Sequence, residues 1–405
     1  MKKLLFTTST LPRFASDPEP RFVLDLAHAL SDRYDVTILA PVDPNAQLLE
    51  QDGPVTIQRY RYAPFRFMER LAYPGAIMPR LRRHPWLWLT VPMLFFGLYF
   101  SLHRLLKQKF YLVHCHWLIP QGLVQALGFP GSNVPPFVAT GYGGDLTIFH
   151  GALGRFLFRP IFERAAEITL VSESLRTVVG TRRTDASVIP MGVDVKKFHP
   201  RLAVPGYFSR WCGEQPVLLF VGRLAEKKGL KVLLQAMAEP VVRLTGAHLV
   251  IVGDGPLKQE LEDYRSMLNL CKKVHFVPSV VHAELASMYA SADMLCVPSI
   301  VAADGDTEGM PAVMLEASAS GTPCVATSVG GITEFIIDGL NGLVVAPGDV
   351  ASLAGAIARL LNSSTLRERL GRAAAQSVVA YDWSQIANRF DTLYKSVLRS
   401  HDAVT

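Results

Sequence analysis

The stretch DGDTEGMPAVMLE (304–316) holds four acidic side chains around a Gly-Met-Pro turn, and two chemistries compete for them. Asp304 and Asp306 form an Asp-x-Asp pair of the kind that holds a divalent cation against phosphates. Glu308 and Glu316, separated by Gly309, Met310 and Pro311 and a further run, read instead as one loop carboxylate and one helix carboxylate. The strand-like MLCVP precedes them, and Pro311 suits the first position of a helix running to about Ser320. The amides of Ala312 and Val313 would then project from the helix N-terminus, which favours an anion. Carboxylates beside an anion site are repelled unless they bind something uncharged, and sugar hydroxyls are good donors to carboxylates.

A complementary set of cations lies upstream. In VLLFVGRLAEKKGLKVLLQAM a buried strand ends at Val221 and a helix starts near Gly229, leaving Gly222, Arg223 and Lys228 in or beside the connecting loop. Such a turn offers backbone amides and the positive end of a helix to an anion, and Arg223 and Lys228 add two charges. A diphosphate fits, because arginine grips paired oxygens and lysine acts as a point charge. A solvated basic loop accounts for this segment, taken alone, equally well. HLVIVGDGP repeats the geometry, with Gly253 and Gly255 allowing close backbone approach. Two cations for a diphosphate and one carboxylate for each of two sugar rings describe a nucleotide sugar. The cations bring the charge a metal would bring, so no metal is expected, and Asp304 and Asp306 read as a polar lead-in. In LVHCHWLIPQG, His114 and His116 share one strand face, but two histidines without further ligands fall short of a metal site.

The elements that must position these residues alternate along the chain. Strand-like runs at 4–8, 36–40, 112–114, 137–139 and 168–171 are followed by a second series at 217–221, 248–252, 274–277, 294–297 and 324–327. Helix-length segments lie between them, at 22–31, 230–238, 256–267 and 353–361 among others. The alternation predicts an α/β protein with parallel sheets covered on both faces. A chain of 405 residues is too long for one ordinary core. KKFHPRLAVPGYFSRWCGEQP lacks periodicity and reads as a linker, which gives domains over 1–200 and 201–382. A terminal helix follows within 383–405, with Ile386, Phe390, Leu393 and Val397 on one face. Doubly wound sheets bind ligands beyond the carboxyl ends of their strands, so the two halves are expected to face one another across a cleft.

Composition bounds the setting. Five scattered cysteines with no CxxC pair fit a reducing compartment, and the apolar run near the start is too short for a secretory signal. The whole chain carries +6, yet residues 59–110 hold ten Arg or Lys and one acid, so the remainder is mildly acidic. A regional basic patch suits an anionic surface such as phospholipid, or a pyrophosphate-linked acceptor. Within it lies WLWLTVPMLFFGLYFSL (86–102), flanked by Arg80, Arg82 and Arg83 and by Arg104, Lys107 and Lys109. Seventeen helical residues reach about 25 Å, short of a ~30 Å hydrocarbon core. Pro92 and Gly97 interrupt the run as well. An in-plane segment on an anionic membrane, spanning about 80–110, is therefore expected. The alternative is a helix buried against the sheet.

GRLAEKKG, GDGP, EGMPAVMLEASASGTPCVAT and GGITEFIIDGLNGLVV, preceded by VSESLR and VIPMGVD, occur in the order and spacing of the retaining glycosyltransferases of family 4. The chain resembles that family over residues 1–385. The resemblance implies the GT-B fold of two Rossmann-like domains, a UDP- or GDP-linked sugar as co-substrate, retention of configuration, and neither metal nor other cofactor. It implies that Arg223 and Lys228 bind the donor diphosphate, that Glu316 binds the ribose and that Glu308 binds the transferred sugar. Gly222, Gly253 and Gly255 and the run Gly309, Met310, Pro311, Ala312 and Val313 would complete the donor site. His116 would lie near the reaction centre, making the catalytic set His116, Arg223, Lys228 and Glu308. The terminal helix would cross back onto the N-terminal domain.

The acceptor side is less regular. TGYGGDL keeps Asp145 but has Gly141 or Tyr142 where relatives carry histidine, and TSTLPRFASDPEP lacks their Gly-Gly loop, leaving Ser9, Arg13 or Ser16 as substitutes. Arg13 and Asp145 are the acceptor-side candidates. Pro278 stands where glycine is common beside the base pocket, so the base stays open. The expected protein is a cytoplasmic transferase peripheral to the inner face of the cell membrane, acting in polysaccharide or glycolipid synthesis. Its partners would be a nucleotide sugar, a lipid-linked glycan acceptor and anionic lipid, with no nucleic acid. A nucleotide-sugar epimerase on the same fold and a non-catalytic membrane-binding assembly partner are the alternatives.

Overall fold

A computed structural model describes residues 1–402 apart from 16, 18, 74, 76, 130–133, 149–150 and 180–184; Ser16 lies outside the described residues. The chain forms two compact units. The first comprises Met1–Val171, Arg176–Pro190 and Trp383–Thr405, and the second Ser172–Leu175 and Met191–Asp382.

In the first unit, β1 (Lys2–Thr7), β2 (Tyr34–Pro41), β3 (Leu49–Asp52), β4 (Val55–Tyr60), β5 (Leu112–His116), β6 (Phe137–Gly141), β7 (Glu167–Leu170) and β8 (Ser187–Val188) form one sheet. Its order is β3-β4-β2-β1-β5-β6-β7-β8. Every pairing is parallel except that of β3 with β4. The strand order reverses between β1 and β5, the switch point at which such sheets bind ligands. The β3–β4 hairpin has no apolar signature in its first strand, LEQD, because that strand is a solvated edge.

The terminal helix, Trp383–Asp402, packs on the helix Phe22–Leu30 within this unit. It buries Ile386, Phe390 and Tyr394, each contributing about 2 kcal/mol by removal from water. Tyr394 reaches the sheet itself, with its hydroxyl 2.6 Å from His114 Nδ1.

The second unit is the simpler. Its strands β9 (Val217–Val221), β10 (His248–Val252), β11 (Val274–Val277), β12 (Met294–Val297), β13 (Cys324–Thr327) and β14 (Gly342–Val345) are all parallel, in the order β11-β10-β9-β12-β13-β14. The chain reverses direction across the sheet between β9 and β12. The loops leaving β9, β10 and β12 therefore emerge together at the carboxyl ends of adjacent strands.

Two readings from the sequence change here. The aperiodic stretch from Lys196 to Pro216 is not a free linker, since Phe198, Phe208 and Cys212 are buried in the second unit, whose main segment begins at Met191. Apolar anchors spaced this widely leave no period to recognise. The apolar run also differs. A 3-10 turn at Pro85–Thr90 leads into a helix at Val91–Leu105, with Pro92 in its first turn, where proline costs no hydrogen bond. Gly97 does not break the helix. A Cβ there would stand 2.8 Å from both Arg61 O and Tyr62 Cβ, so its absence lets the helix seat against the end of β4.

Candidate active site

In the second unit the loop after β9 turns through Glu226–Lys228 and Gly229 (φ 65°) into the helix Leu230–Ala238. The loop after β12 is laced onto that turn. Ile300 N donates to Lys227 O at 2.9 Å and Ala303 N to Glu226 Oε1 at 3.1 Å. Lys227 Nζ reaches Asp306 Oδ1 at 3.1 Å and Thr307 O at 3.3 Å. Asp304 Oδ1 accepts from Asp306 N. Asp304 and Asp306 thus fold and tether the loop, and Asp306 is already matched by an ammonium group. Lys227, which the sequence reading passed over, is the tether.

Beyond this tether lies Glu308, buried beside Lys228, with Nζ 3.1 Å from Oε1. Burial works against its charge, but Lys228 and Lys227 outweigh burial and hold its carboxyl below the usual range. Arg223 is half-buried in the same loop. Pro311 is the N-cap residue rather than the first helical residue, and no side chain caps the helix Ala312–Ala319 that follows. The amides of Ala312 and Val313 begin that helix, at the end that favours negative charge.

Glu316 lies one turn further along, 11% exposed. Tyr289 OH donates to Oε2 at 2.9 Å, and His282 Nε2 is 2.8 Å from Oε1.

The glycines hold the loops against one another. A Cβ at Gly253 (φ 142°) would overlap Gly222 O, and one at Gly255 would meet the backbone of Leu224. Cβ atoms at Gly330 (φ 56°) and Gly331 would overlap the carbonyl oxygens of Glu308 and Gly309. Gly253 and Gly255 thus bring the β10 loop onto the β9 loop. Gly330 and Gly331, absent from the sequence-derived site, set the backbone under Glu308. Their signal was the doubled glycine of GGIT.

In the first unit, His114 and His116 are both fully buried. His114 is spent between Tyr394 OH and Thr140 Oγ1, at 2.6 and 2.7 Å, and burial lowers its pKa to about 3. His116 Nδ1 lies 2.6 Å from Tyr142 OH, while its Nε2 has no partner. The residue standing where a histidine was expected therefore covers His116, and His116 has no exposed surface with which to touch a sugar.

Asp145 also departs from the expectation. Its carboxylate accepts from the amides of Leu118 at 2.8 Å and Tyr142 at 3.1 Å, so it braces two loops instead of facing an acceptor. Burial raises its pKa to about 6, against 3.8 in an open chain. Between those values the folded protein holds the extra proton, so this group adds stability as pH falls from about 6 towards 3.8. Asp145→Asn keeps only one acceptor oxygen. It is expected to lower stability at pH 7 by about 1–2 kcal/mol and to flatten the pH dependence in that window, as read by urea unfolding.

Arg13 is likewise committed. It pairs with Asp17 through Nε at 2.7 Å and Nη2 at 2.9 Å, and lies 3.8 Å from Asp43. It stiffens the loop that replaces the glycine pair rather than standing ready for an acceptor.

Among the described residues one group could gather a metal, Cys212, His248 and His275. It lies away from the loops above, since His248 opens β10 at its amino end. His248 Nδ1 is 2.9 Å from His275 Nε2, and Lys273 Nζ is 3.3 Å from His248 Nε2. A donor chain from Lys273 through His248 to His275 satisfies these nitrogens without an ion.

Comparison with known proteins identifies the family and the fold. Residues 209–377 match the family model described as glycosyl transferases group 1, and residues 20–197 match that of glycosyltransferase family 4. A phosphatidyl-myo-inositol mannosyltransferase of Mycobacterium leprae is 30% identical over 396 residues, 94% of each chain. A D-inositol 3-phosphate glycosyltransferase of Corynebacterium diphtheriae is 33% identical over 245 residues, 56% of each chain. Among solved structures, sucrose-phosphate synthase from Thermosynechococcus elongatus superposes with a TM-score of 0.78 at 23% identity, covering 99% of this chain and 100% of that one. Anabaena HepE in complex with UDP-glucose does so at 0.71 and 19%, covering 98% and 100%. The fold is that of the GT-B glycosyltransferases, and the chain belongs to the group 1 glycosyltransferases of family 4.

Proposed function

We propose that the protein moves a sugar from a UDP- or GDP-linked donor to a lipid-linked acceptor, with retention of configuration and without a metal. The observation that carries this reading is the buried Glu308–Lys228 pair beside a helix N-terminus that no side chain caps. Arg223 and Lys228 take the donor diphosphate, Glu308 the hydroxyls of the transferred sugar and Glu316 those of the ribose. The bond from the anomeric carbon to the phosphate oxygen breaks, and the acceptor oxygen bonds to the same face. The acceptor's proton passes to the departing phosphate. Charge building on that phosphate meets Arg223, Lys228 and the helix end, which is where catalysis gains most.

The acceptor class rests on the surface of the first unit and on the lipid named for the mycobacterial relative. Pro85–Gln108 is long and apolar enough to cross a bilayer, with 28% of its apolar 18-residue window buried. Its Leu94, Leu98, Leu102 and Leu105 are spent in the unit's core, which favours lying on a membrane over spanning one. Trp86, Trp88, Leu89, Phe96 and Phe100 are 48–73% exposed, among the cations noted above. This face is proposed to hold the protein on the cytoplasmic leaflet. Trp88→Glu with Phe100→Glu should weaken co-sedimentation with vesicles containing anionic lipid at least tenfold, with melting unchanged. Undiminished binding would remove the membrane from the proposal.

The function is tested by incubating the protein with UDP- and GDP-sugars, in the presence of EDTA, and vesicles carrying phosphatidylinositol or polyprenyl-linked glycans. Transfer with retained configuration, read by NMR, is expected. Folded protein that neither transfers nor hydrolyses any donor would refute it, and isomerised donor without acceptor would point to epimerisation.

A further inference from the structure

Glu316 does not stand alone, and what surrounds it assigns work to residues outside the family motifs quoted above. Each of its oxygens already accepts one protein donor: Tyr289 OH on Oε2 at 2.9 Å and His282 on Oε1 at 2.8 Å. The far nitrogen of that histidine, Nδ1, lies 2.6 Å from Lys197 Nζ. An ammonium group can only donate, so Nδ1 is the acceptor, and the ring's proton sits on Nε2, aimed at Glu316. His282 is also the first residue of the helix His282–Ser291. Phe198 packs its edge against both His282 and Tyr289, at centroid distances of 5.1 and 5.9 Å. Lys197 and Phe198 come from the segment that precedes β9, and His282 and Tyr289 from the helix that follows β11. Four side chains from two distant stretches thus fix one carboxylate.

We infer that Lys197 and His282 are positioning residues for ribose recognition, acting through Glu316. A carboxylate has two acceptor directions on each oxygen. Tyr289 and His282 occupy one direction on each, which leaves one on each for a pair of adjacent hydroxyls. A ribose 2′,3′-diol presents such a pair, and a deoxyribose presents only half of it. Lys197 holds the histidine in the form that donates, so the clamp depends on a lysine that acts through the ring. The inference rests on the reading that Glu316 receives the nucleotide's ribose.

The test is calorimetric binding of UDP and GDP, and of their 2′,3′-dideoxy counterparts, to the full chain. His282→Ala is expected to weaken the better-bound ribonucleotide about tenfold, the size of one charge-assisted hydrogen bond, and to change its dideoxy counterpart less than twofold. Lys197→Met, which removes the tautomer lock and keeps the stem, should do the same to a lesser extent. It keeps the question open to refutation if His282→Ala fails to fold. His282→Gln, which can still donate, should restore most of the ribose preference. Equal weakening of ribo and dideoxy ligands would reduce the cluster to a structural role and overturn the inference, as would no change in either. Glu316→Gln separates the two levels. If it abolishes the ribose preference while His282→Ala does not, the ribose reading stands and the positioning claim falls. If the wild type shows no ribose preference, both fall.

Discussion

Lys228→Met is expected to lower kcat/KM for the sugar donor by about 10²–10³-fold, the range for removing one group that stabilises a departing oxyanion. Most of the loss should fall on kcat, because charge on the leaving phosphate grows in the transition state. A second effect follows from the 3.1 Å approach of Lys228 to Glu308. Without the lysine, Glu308 remains 9% exposed with its nearest compensating cation 3.9 Å away on Lys227. A carboxylate so placed is costly, so the single variant should also unfold more easily. Lys228→Met with Glu308→Gln should recover that stability while leaving the enzyme inactive. Because Glu308's carboxyl is held below the usual range, the pair's contribution is present above about pH 4.5 and is lost as pH falls through the lowered value. The double variant should lack that acid-side loss. Urea unfolding at pH 7 and pH 4, beside steady-state kinetics, reads both effects, and an active Lys228→Met enzyme would contradict the assigned role.

Gly330→Ala should be the most damaging change that removes no functional group. Its φ of 56° already disfavours any Cβ, and the added carbon would overlap the carbonyl oxygen of Glu308. Backbone cannot swing aside as a long side chain can. A loss of about 3 kcal/mol is therefore expected, together with weakened donor binding as Glu308 is displaced. Gly305→Ala is the natural comparison. Its φ is 82°, yet nothing lies within 4 Å of the new carbon, so it should cost about 1 kcal/mol and leave donor binding alone. Matching losses in the two variants would show that backbone strain, not the overlap with Glu308, sets the cost.

Much of this was legible in the residues. The alternation of apolar strands with helices gives the second sheet almost strand for strand, missing only β14, whose GLVV opens on a glycine. Glu308 in a loop, Glu316 in a helix and Arg223 and Lys228 at a strand-to-helix turn follow from local signals, and the structure places each of them so. What could not be read depends on contacts between distant segments. Nothing in VDVKKFHP shows that Lys197 reaches His282, 85 residues on. Nor does TGYGGDL reveal that Asp145 turns inward to two amides. Arg13 misled for the same reason, since a basic residue in a strand-end loop looks available until Asp17 is seen to take it. Residue type indicates which chemistry is possible; burial and partners decide whether a group is free to perform it.

The helix Trp383–Asp402 completes the first unit, although the whole of Met191–Asp382 intervenes. On the ribosome, the second unit is translated as one nearly continuous stretch and can close before the first. Until that helix emerges, the first unit waits with the faces destined for Ile386, Phe390 and Tyr394 uncovered. A truncated product lacking that helix would keep the loops of the second unit and lose the cover of the first, leaving it open to chaperones and proteases. Closure of the first unit is thereby coupled to translation beyond the second.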